Sequence, residues 1–182
     1  MDSISEKYLQ QQKELHRRND YGVASSGYAP LISKLIDKYK IKTLCDYGAG
    51  KKKLLTSLSE LGSNTIKYYP YDPVFPEYGM PVKSQLVCCI DVLEHIEIEF
   101  IDNVINELST ITELLTFISI HTGPAVKKLN DGRNAHLIQA PNSWWLEKLI
   151  QKFEIHQVQT TKAGFWIIGS KRDRRICINA KN

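Results

Sequence analysis

Apolar residues recur along the chain at two spacings, which separate predicted helices from predicted strands. A spacing of three or four residues predicts helices at 5–18, 28–40, 54–61, 101–111 and 142–152. Apolar runs of strand length predict strands at 41–47, 66–71, 85–90, 114–121, 153–160 and 164–171, and a short strand at 175–178. Pro30 fits the first turn of the second helix. Clustered turn residues predict loops at 73–84 and 122–141.

Helices and strands alternate through most of the chain, and two adjacent strands close it as a hairpin. This order is typical of an α/β domain with a mostly parallel sheet and helices on both faces. We expect that domain over residues 28–182, preceded by an N-terminal helix or lid segment at 1–27. In such sheets a ligand lies beyond the carboxyl ends of the strands, so we expect chemistry just after each strand.

Composition excludes several classes of protein. The 182 residues are 42% hydrophobic and 24% charged, as in one ordinary globular domain. The net charge of +4 is too weak for a dedicated nucleic-acid binder. Four cysteines without a Cys-x-x-Cys pair predict free thiols in a reducing compartment. The chain starts without a signal-like segment and has no apolar run of about 20 residues, so we expect a soluble, cytoplasmic protein without a membrane partner.

Glycines and carboxylates stand where the first three strands end. Asp46-Tyr47-Gly48-Ala49-Gly50 follows the first strand, and such a turn lets a ligand approach the backbone closely. Asp72 follows the second strand, where a carboxylate can accept from both hydroxyls of a ribose. Asp91-Val92-Leu93-Glu94-His95-Ile96 follows the third. The alternatives are a plain strand-to-helix turn and an aspartate that caps the turn at Pro73.

Two nucleotide motifs fit these residues poorly. A phosphate loop needs a Gly five residues before Gly50 and Ser or Thr at position 52, but Cys45 and Lys52 stand there. A nicotinamide fingerprint needs a third glycine where Lys53 stands. An acidic residue just before the turn also suits a cofactor with a positive head better than a pyrophosphate.

The three strings together resemble the class I S-adenosylmethionine-dependent methyltransferases. The Asp-Val-Leu-Glu-His-Ile string is similar to the branch with ubiquinone-pathway O-methyltransferases and many small-molecule methyltransferases. The resemblance implies a Rossmann-like, doubly wound, mostly parallel seven-stranded sheet with an antiparallel terminal hairpin, the cofactor S-adenosyl-L-methionine and the product S-adenosyl-L-homocysteine. It implies that the cofactor is bound by Asp46, Gly48, Ala49, Gly50, Asp72, Pro73, Asp91 and Val92.

One departure and one closer likeness accompany this resemblance. Lys52 stands where many members carry another glycine, which puts the local backbone in doubt. Residues 131–139 with Trp144-Trp145-Leu146 resemble an uncharacterised subset of methyltransferases in bacteria and phages. That subset has no secure substrate, so this likeness extends only to the reaction class.

Methyl transfer from a sulfonium depends mainly on alignment, and it needs a general base only if the acceptor must lose a proton. The candidate bases are His136, His121 and His95, each with a purely structural role as the alternative. Candidate substrate-binding residues are Arg133, Asn134 and Trp145; the alternatives are a salt bridge from Arg133 to Asp131 and core packing of the tryptophan. The spacing of histidines, carboxylates and cysteines predicts no metal site.

These observations lead to a functional hypothesis. We expect a methyltransferase that moves a methyl group to an O or N atom of a small-molecule or sugar-like acceptor. One alternative is a nucleic-acid or protein methyltransferase that uses basic patches at 51–53, 127–128 and 171–175. The other alternative is a non-catalytic cofactor-binding protein, because Lys52 departs from the glycine that many methyltransferases carry at this position. The sequence does not predict an oligomeric state.

Overall fold

The structure is a computed structural model that describes residues 3–18, 21–63 and 65–172. Within these ranges six strands form one mixed sheet in the order β2–β1–β3–β4–β6–β5. The strands are β1 (Thr43–Tyr47), β2 (Lys67–Tyr71), β3 (Ser84–Ile90), β4 (Thr112–His121), β5 (Phe153–Thr160) and β6 (Gly164–Lys171). Strands β1 to β4 pair in parallel, and β6 runs antiparallel between β4 and β5. The strand order reverses beside β1, so the carboxyl ends of β1, β2 and β3 adjoin at the switch point.

Four helices cover the two faces of this sheet. They are α2 (Ser25–Tyr39) and α3 (Lys53–Glu60) on one face, and α4 (Ile101–Ile111) and α5 (Asn142–Leu149) on the other. Successive strand side chains point to opposite faces, so Leu86 and Cys88 pack under α2 and α3 while Val87 and Cys89 pack under α4 and α5. Burial on both sides explains why residues 86–90 of β3 form a continuous apolar run.

A further helix, α1 (Glu6–His16), lies outside this layered core. The side chain of Ser5 caps it by accepting from the amide of Tyr8, at 3.2 Å. Its buried residues Tyr8 and Leu15 pack against Leu129 and Ala135 of the 122–141 segment in a third apolar cluster. The N-terminal helix and this segment therefore support each other.

Most of the sequence predictions agree with this architecture. The α/β class, the largely parallel sheet and the terminal hairpin are confirmed, whereas the sheet has six strands in the described ranges rather than the expected seven. The short strand expected at 175–178 lies outside those ranges. The division into a segment at 1–27 and a domain at 28–182 stays a prediction. None of the helices in the described ranges is long and apolar enough to cross a membrane.

The start of α2 lies three residues before its predicted position. Helix α2 begins at Ser25, so Pro30 lies inside the helix rather than in its first turn. Proline there removes the hydrogen bond to the carbonyl of Ser26, and its ring crowds that carbonyl. In the first turn of the observed helix, the ring of Tyr28 lies 5.2 Å from the ring of Phe117, centroid to centroid.

Replacing Lys40 with glycine should stabilise the fold. Lys40 ends α2 in the left-handed conformation, at φ +54°, where an L side chain is strained and glycine is not. We expect Lys40→Gly to raise the free energy of unfolding by about 0.5–1 kcal/mol in urea denaturation. The control Lys34→Gly, in the right-handed body of α2, should lower it by about 1 kcal/mol. Equal decreases in the free energy of unfolding of Lys40→Gly and Lys34→Gly would contradict this explanation.

Candidate functional site

The turn after β1 depends on its glycines. Gly48 and Gly50 have φ values of +80° and +47°, in the left-handed region that L side chains rarely adopt. A Cβ on Gly48 would also lie 2.4 Å from Cγ2 of Val92. The glycine therefore allows the turn after β1 and the turn after β3 to lie against each other.

Lys52 takes the conformation that a glycine would favour. Its φ is +56°, so the turn keeps a left-handed residue at this position without a glycine. Its Nζ lies 4.9 Å from the centre of the Tyr78 ring, and the hydroxyl of Tyr78 donates to the carbonyl of Gly50 at 3.0 Å. These contacts hold the lysine in place against its backbone strain.

Backbone hydrogen bonds join this turn to the end of β2. The amides of Gly48 and Ala49 both donate to the carbonyl of Tyr71, at 2.7 and 2.9 Å. The carboxylate of Asp72 accepts from the amide of Gly50 and from the amide of Val74, each at 2.9 Å. Asp72 therefore organises the two turns, and each of its oxygens keeps a further lone pair for a ligand.

Asp46 is almost completely buried, at 2% exposed, at the inner end of the site. The hydroxyl of Tyr68 donates to its Oδ2. Burial raises the pKa of Asp46 to about 7, although the hydrogen bond from Tyr68 opposes that rise. A bound cation would favour the ionised carboxylate.

A cleft lies above these turns. It encloses about 920 Å³ of space, including the open solvent at its mouth. It brings together all eight residues that the resemblance implied for the cofactor, namely Asp46, Gly48, Ala49, Gly50, Asp72, Pro73, Asp91 and Val92.

The N-terminal segment supplies the opposite wall of the cleft. Its lining side chains are Tyr8, Gln12, His16, Tyr21 and Ser25. The hydroxyl of Tyr21 donates to Oε1 of Gln12 at 3.1 Å. Nδ1 of His16 is buried, and no group in the described part of the chain forms a hydrogen bond with it. Sequence reasoning did not assign Tyr8, Gln12, Tyr21 or Ser25 to the site, although the four-residue spacing of Tyr8 and Gln12 placed both on one face of α1.

A second pocket adjoins the cleft and shares Tyr21, Asp91 and His95 with it. It encloses about 720 Å³, including the solvent at its mouth, between the N-terminal segment and residues 121–136. All three candidate histidines line it. The centroid of the His136 ring lies 4.7 Å from that of His95 and 4.7 Å from that of His121.

Hydrogen bonds orient two of these rings in the same way. Nδ1 of His136 lies 2.7 Å from the carbonyl of Gly123, and Nδ1 of His95 lies 2.8 Å from that of Ala135. A carbonyl only accepts, so each Nδ1 carries the hydrogen and each Nε2 keeps a lone pair. Burial lowers the pKa of His95 to about 4 and lowers that of His136, so both rings are neutral at physiological pH.

Two acidic residues lie beside the histidines. Asp91 has a φ of +58°, a strained conformation of the kind found at functional sites. Glu94 is fully buried, and its Oε1 accepts from the amide of His121 at 2.6 Å. Burial and the neighbouring Asp91 hold the pKa of Glu94 well above its usual range.

The three residues expected to bind the substrate do not reach either pocket. Trp145 is 0% exposed in the core between the sheet and the helices, the alternative position expected for this tryptophan. Arg133 forms the alternative salt bridge, with Nη2 2.8 Å from Oδ2 of Asp131. The side chain of Asn134 bonds to the backbone of Ala125 and His136. Both polar residues thus shape the loop that carries His136.

No protein-family profile matches the chain, and no curated protein matches it. Solved structures do match. One is the 1,6-didemethyltoxoflavin-N1-methyltransferase of Burkholderia thailandensis with bound 1,6-didemethyltoxoflavin and S-adenosylhomocysteine; its TM-score is 0.65 at 15% identity, over 95% of this chain and 94% of that chain.

Two further structures have lower similarity. The N-methyltransferase NodS of Bradyrhizobium japonicum, in complex with S-adenosylhomocysteine, has a TM-score of 0.54 at 10% identity, over 93% of this chain and 100% of that chain. The mitomycin 7-O-methyltransferase MmcR has a TM-score of 0.57 at 12% identity, over 90% of this chain but 60% of that chain. At these identities the likeness shows that the chain has the α/β fold of these methyltransferases.

Proposed function

We propose that the chain is an S-adenosylmethionine-dependent methyltransferase that acts on an oxygen or nitrogen atom of a small-molecule or sugar-like acceptor. One observation carries this proposal: the cleft that gathers the eight cofactor candidates adjoins a histidine-lined pocket at Asp91 and His95. The fold of methyltransferases that hold S-adenosylhomocysteine supports it.

The residues of the cleft fit this cofactor. Asp46 offers a buried carboxylate for an ammonium group, and the remaining lone pairs of Asp72 can accept from ribose hydroxyls. The unpartnered Nδ1 of His16 offers another hydrogen-bonding atom in the same cleft. When bound, S-adenosylmethionine would supply an activated methyl group on a sulfonium sulfur.

The protein's own contribution is to align the acceptor and to manage its proton. Because the two pockets share a wall at Asp91 and His95, an acceptor bound in the second pocket would lie next to the cleft, as an in-line displacement needs. The neutral ring of His136 presents a lone pair at Nε2. That lone pair can either take a proton from the acceptor or hold a cation that makes the proton easier to lose.

Methyl transfer itself tests this proposal. The protein is incubated with S-adenosylmethionine labelled in its methyl group and with a fractionated cell extract. We expect label in a low-mass compound, in a form stable to removal of the protein. Label confined to nucleic acid or protein would overturn the small-molecule acceptor, and cofactor binding without any transfer would overturn the enzymatic function.

Cofactor affinity should rise as pH rises through the pKa of Asp46. Near neutral pH about half of the free protein carries a protonated Asp46, which cannot attract an ammonium group. A bound ammonium favours the ionised carboxylate, so binding is strong above pH 7 and weakens as pH falls below it. We expect S-adenosylhomocysteine to bind about tenfold more weakly at pH 6 than at pH 8 by calorimetry.

Two variants isolate this carboxylate. Asp46→Asn keeps an acceptor for the hydroxyl of Tyr68 and should lose the pH dependence. Tyr68→Phe removes a bond that lowers the pKa of Asp46, so the rise in affinity should move to higher pH. If the affinity for S-adenosylhomocysteine rose with pH equally in the native protein and in Asp46→Asn, Asp46 would not be the group that causes the pH dependence.

His136 should matter for transfer and not for cofactor binding, because it lines the second pocket but not the cleft. We expect His136→Ala to bind S-adenosylhomocysteine within about twofold of native protein and to transfer label about a hundredfold more slowly. His156→Ala is the control, since His156 is exposed on β5 and bonds to Ser170. Native transfer rates in His136→Ala would show that His136 is only structural.

A further inference from the structure

The acidic residues and the histidine at the junction of the two pockets form a compact cluster. Asp91, Glu94 and His136 each present a ligand atom, and these atoms all lie within 4.8 Å of one another. Two ligand atoms of a tetrahedral zinc-like ion stand about 3.4 Å apart, so side-chain movements on the order of 1 Å would bring all three atoms within bonding distance. The sequence predicted no metal site, because the three residues lack the usual spacing and His136 comes from a distant loop.

Glu94 supplies an independent indication of a missing partner. Its side chain is fully buried. Oε1 accepts from the amide of His121, whereas Oε2 has no hydrogen-bond partner among the residues that the structure describes. Two ionised carboxylates cannot satisfy each other, so Oε2 needs either a proton shared with Asp91 or a cation. A cation between the two carboxylates would satisfy both and offset their repulsion.

His136 is already oriented as a metal ligand. Its Nδ1–H donates to the carbonyl of Gly123, which leaves the lone pair on Nε2. Metal-bound histidines almost always tie their other ring nitrogen to a carbonyl or carboxylate in this way. The ring is 5% exposed, and Asn134 bonds to its amide, so its position is set by the loop rather than by solvent.

We propose that Asp91, Glu94 and His136 bind a divalent cation, and that this cation holds and activates the methyl acceptor. Two carboxylates and one imidazole suit Mn²⁺ or Zn²⁺ rather than a soft thiolate-seeking metal. Three protein ligands leave coordination positions open, as in catalytic metal sites. Asp91 and His136 line the second pocket, so an acceptor there can reach an open position.

The activating role rests on the proposed methyltransferase function. A hydroxyl bound to the cation loses its proton to water at near-neutral pH, because the metal lowers the pKa of the bound oxygen. The resulting oxygen anion attacks the methyl carbon, a new C–O bond forms and the C–S bond breaks. The bonding electrons go to sulfur, which turns the sulfonium into a neutral thioether.

Binding of Mn²⁺ to the whole chain tests the site without any acceptor. The protein is stripped with EDTA, the chelator is removed, and free Mn²⁺ is followed by electron paramagnetic resonance. We expect one ion per chain, with affinity reduced more than about tenfold in Glu94→Gln and in His136→Ala. Glu94→Gln keeps the acceptor for the His121 amide, and Asp91→Asn is a second carboxylate variant that tolerates the left-handed backbone.

Two matched controls lie away from the cluster. Glu107→Gln changes a carboxylate that accepts from the hydroxyl of Tyr47, and His156→Ala removes an exposed histidine; both should bind Mn²⁺ as the native protein does. Absence of stoichiometric binding, or native affinity in both Glu94→Gln and Asp91→Asn, would overturn the site. In that case Asp91 and Glu94 share a proton instead.

Separate readouts keep the two proposals apart. Binding of S-adenosylhomocysteine by stripped protein that binds no Mn²⁺ would overturn the metal site and leave the methyltransferase proposal standing. Binding of Mn²⁺ without any cofactor binding would do the opposite. If both bind, label transfer should fall after EDTA treatment and return with Mn²⁺; transfer that is indifferent to EDTA would overturn the activating role.

Discussion

The site depends on one backbone carbonyl, that of Tyr71 at the end of β2. It accepts from two consecutive amides of the glycine turn after β1, and the carboxylate of Asp72 accepts from the third. These bonds hold the ends of two parallel strands side by side. Because of them the buried carboxylate of Asp46 and the turn-organising carboxylate of Asp72 line the same cleft. The turn after β3 then closes against the first turn through Val92 and Gly48.

Sequence reasoning succeeded where local pattern and sheet topology decide the outcome. Short apolar runs located all six strands of the described sheet within a few residues, since strands buried on both faces are rich in apolar residues. Ligands of such sheets bind beyond the carboxyl ends of the strands, and this principle predicted from the sequence that Asp46, Asp72 and Asp91 lie at that edge of the sheet. The same principle brought His95 and His121 to that edge. At these positions the polar residue type and the place in the sheet both indicate the same site.

The positions of the residues expected on the acceptor side depend on tertiary packing. Adjacent tryptophans on a helix point in different directions, and the local sequence does not indicate which of them enters the core; in the structure it is Trp145. Arg133 suits both an anionic acceptor and its neighbour Asp131, and the loop's own hydrogen bonds decide for Asp131. The orphaned oxygen of Glu94 was equally hidden, because its surroundings come from β3, β4 and the 122–141 segment.

The packing of α1 has a consequence that extends beyond the cleft. The helix supplies one wall of the cleft, and through Tyr8 and Leu15 it also supports the loop that carries His136. Its first turn is further tied to Glu97, which accepts from the amide and hydroxyl of Ser5, each at 2.7 Å. The two pockets are therefore coupled through α1. A displacement of α1 large enough to admit or release a nucleoside would also remove the packing of Tyr8 and Leu15 against the loop that carries His136.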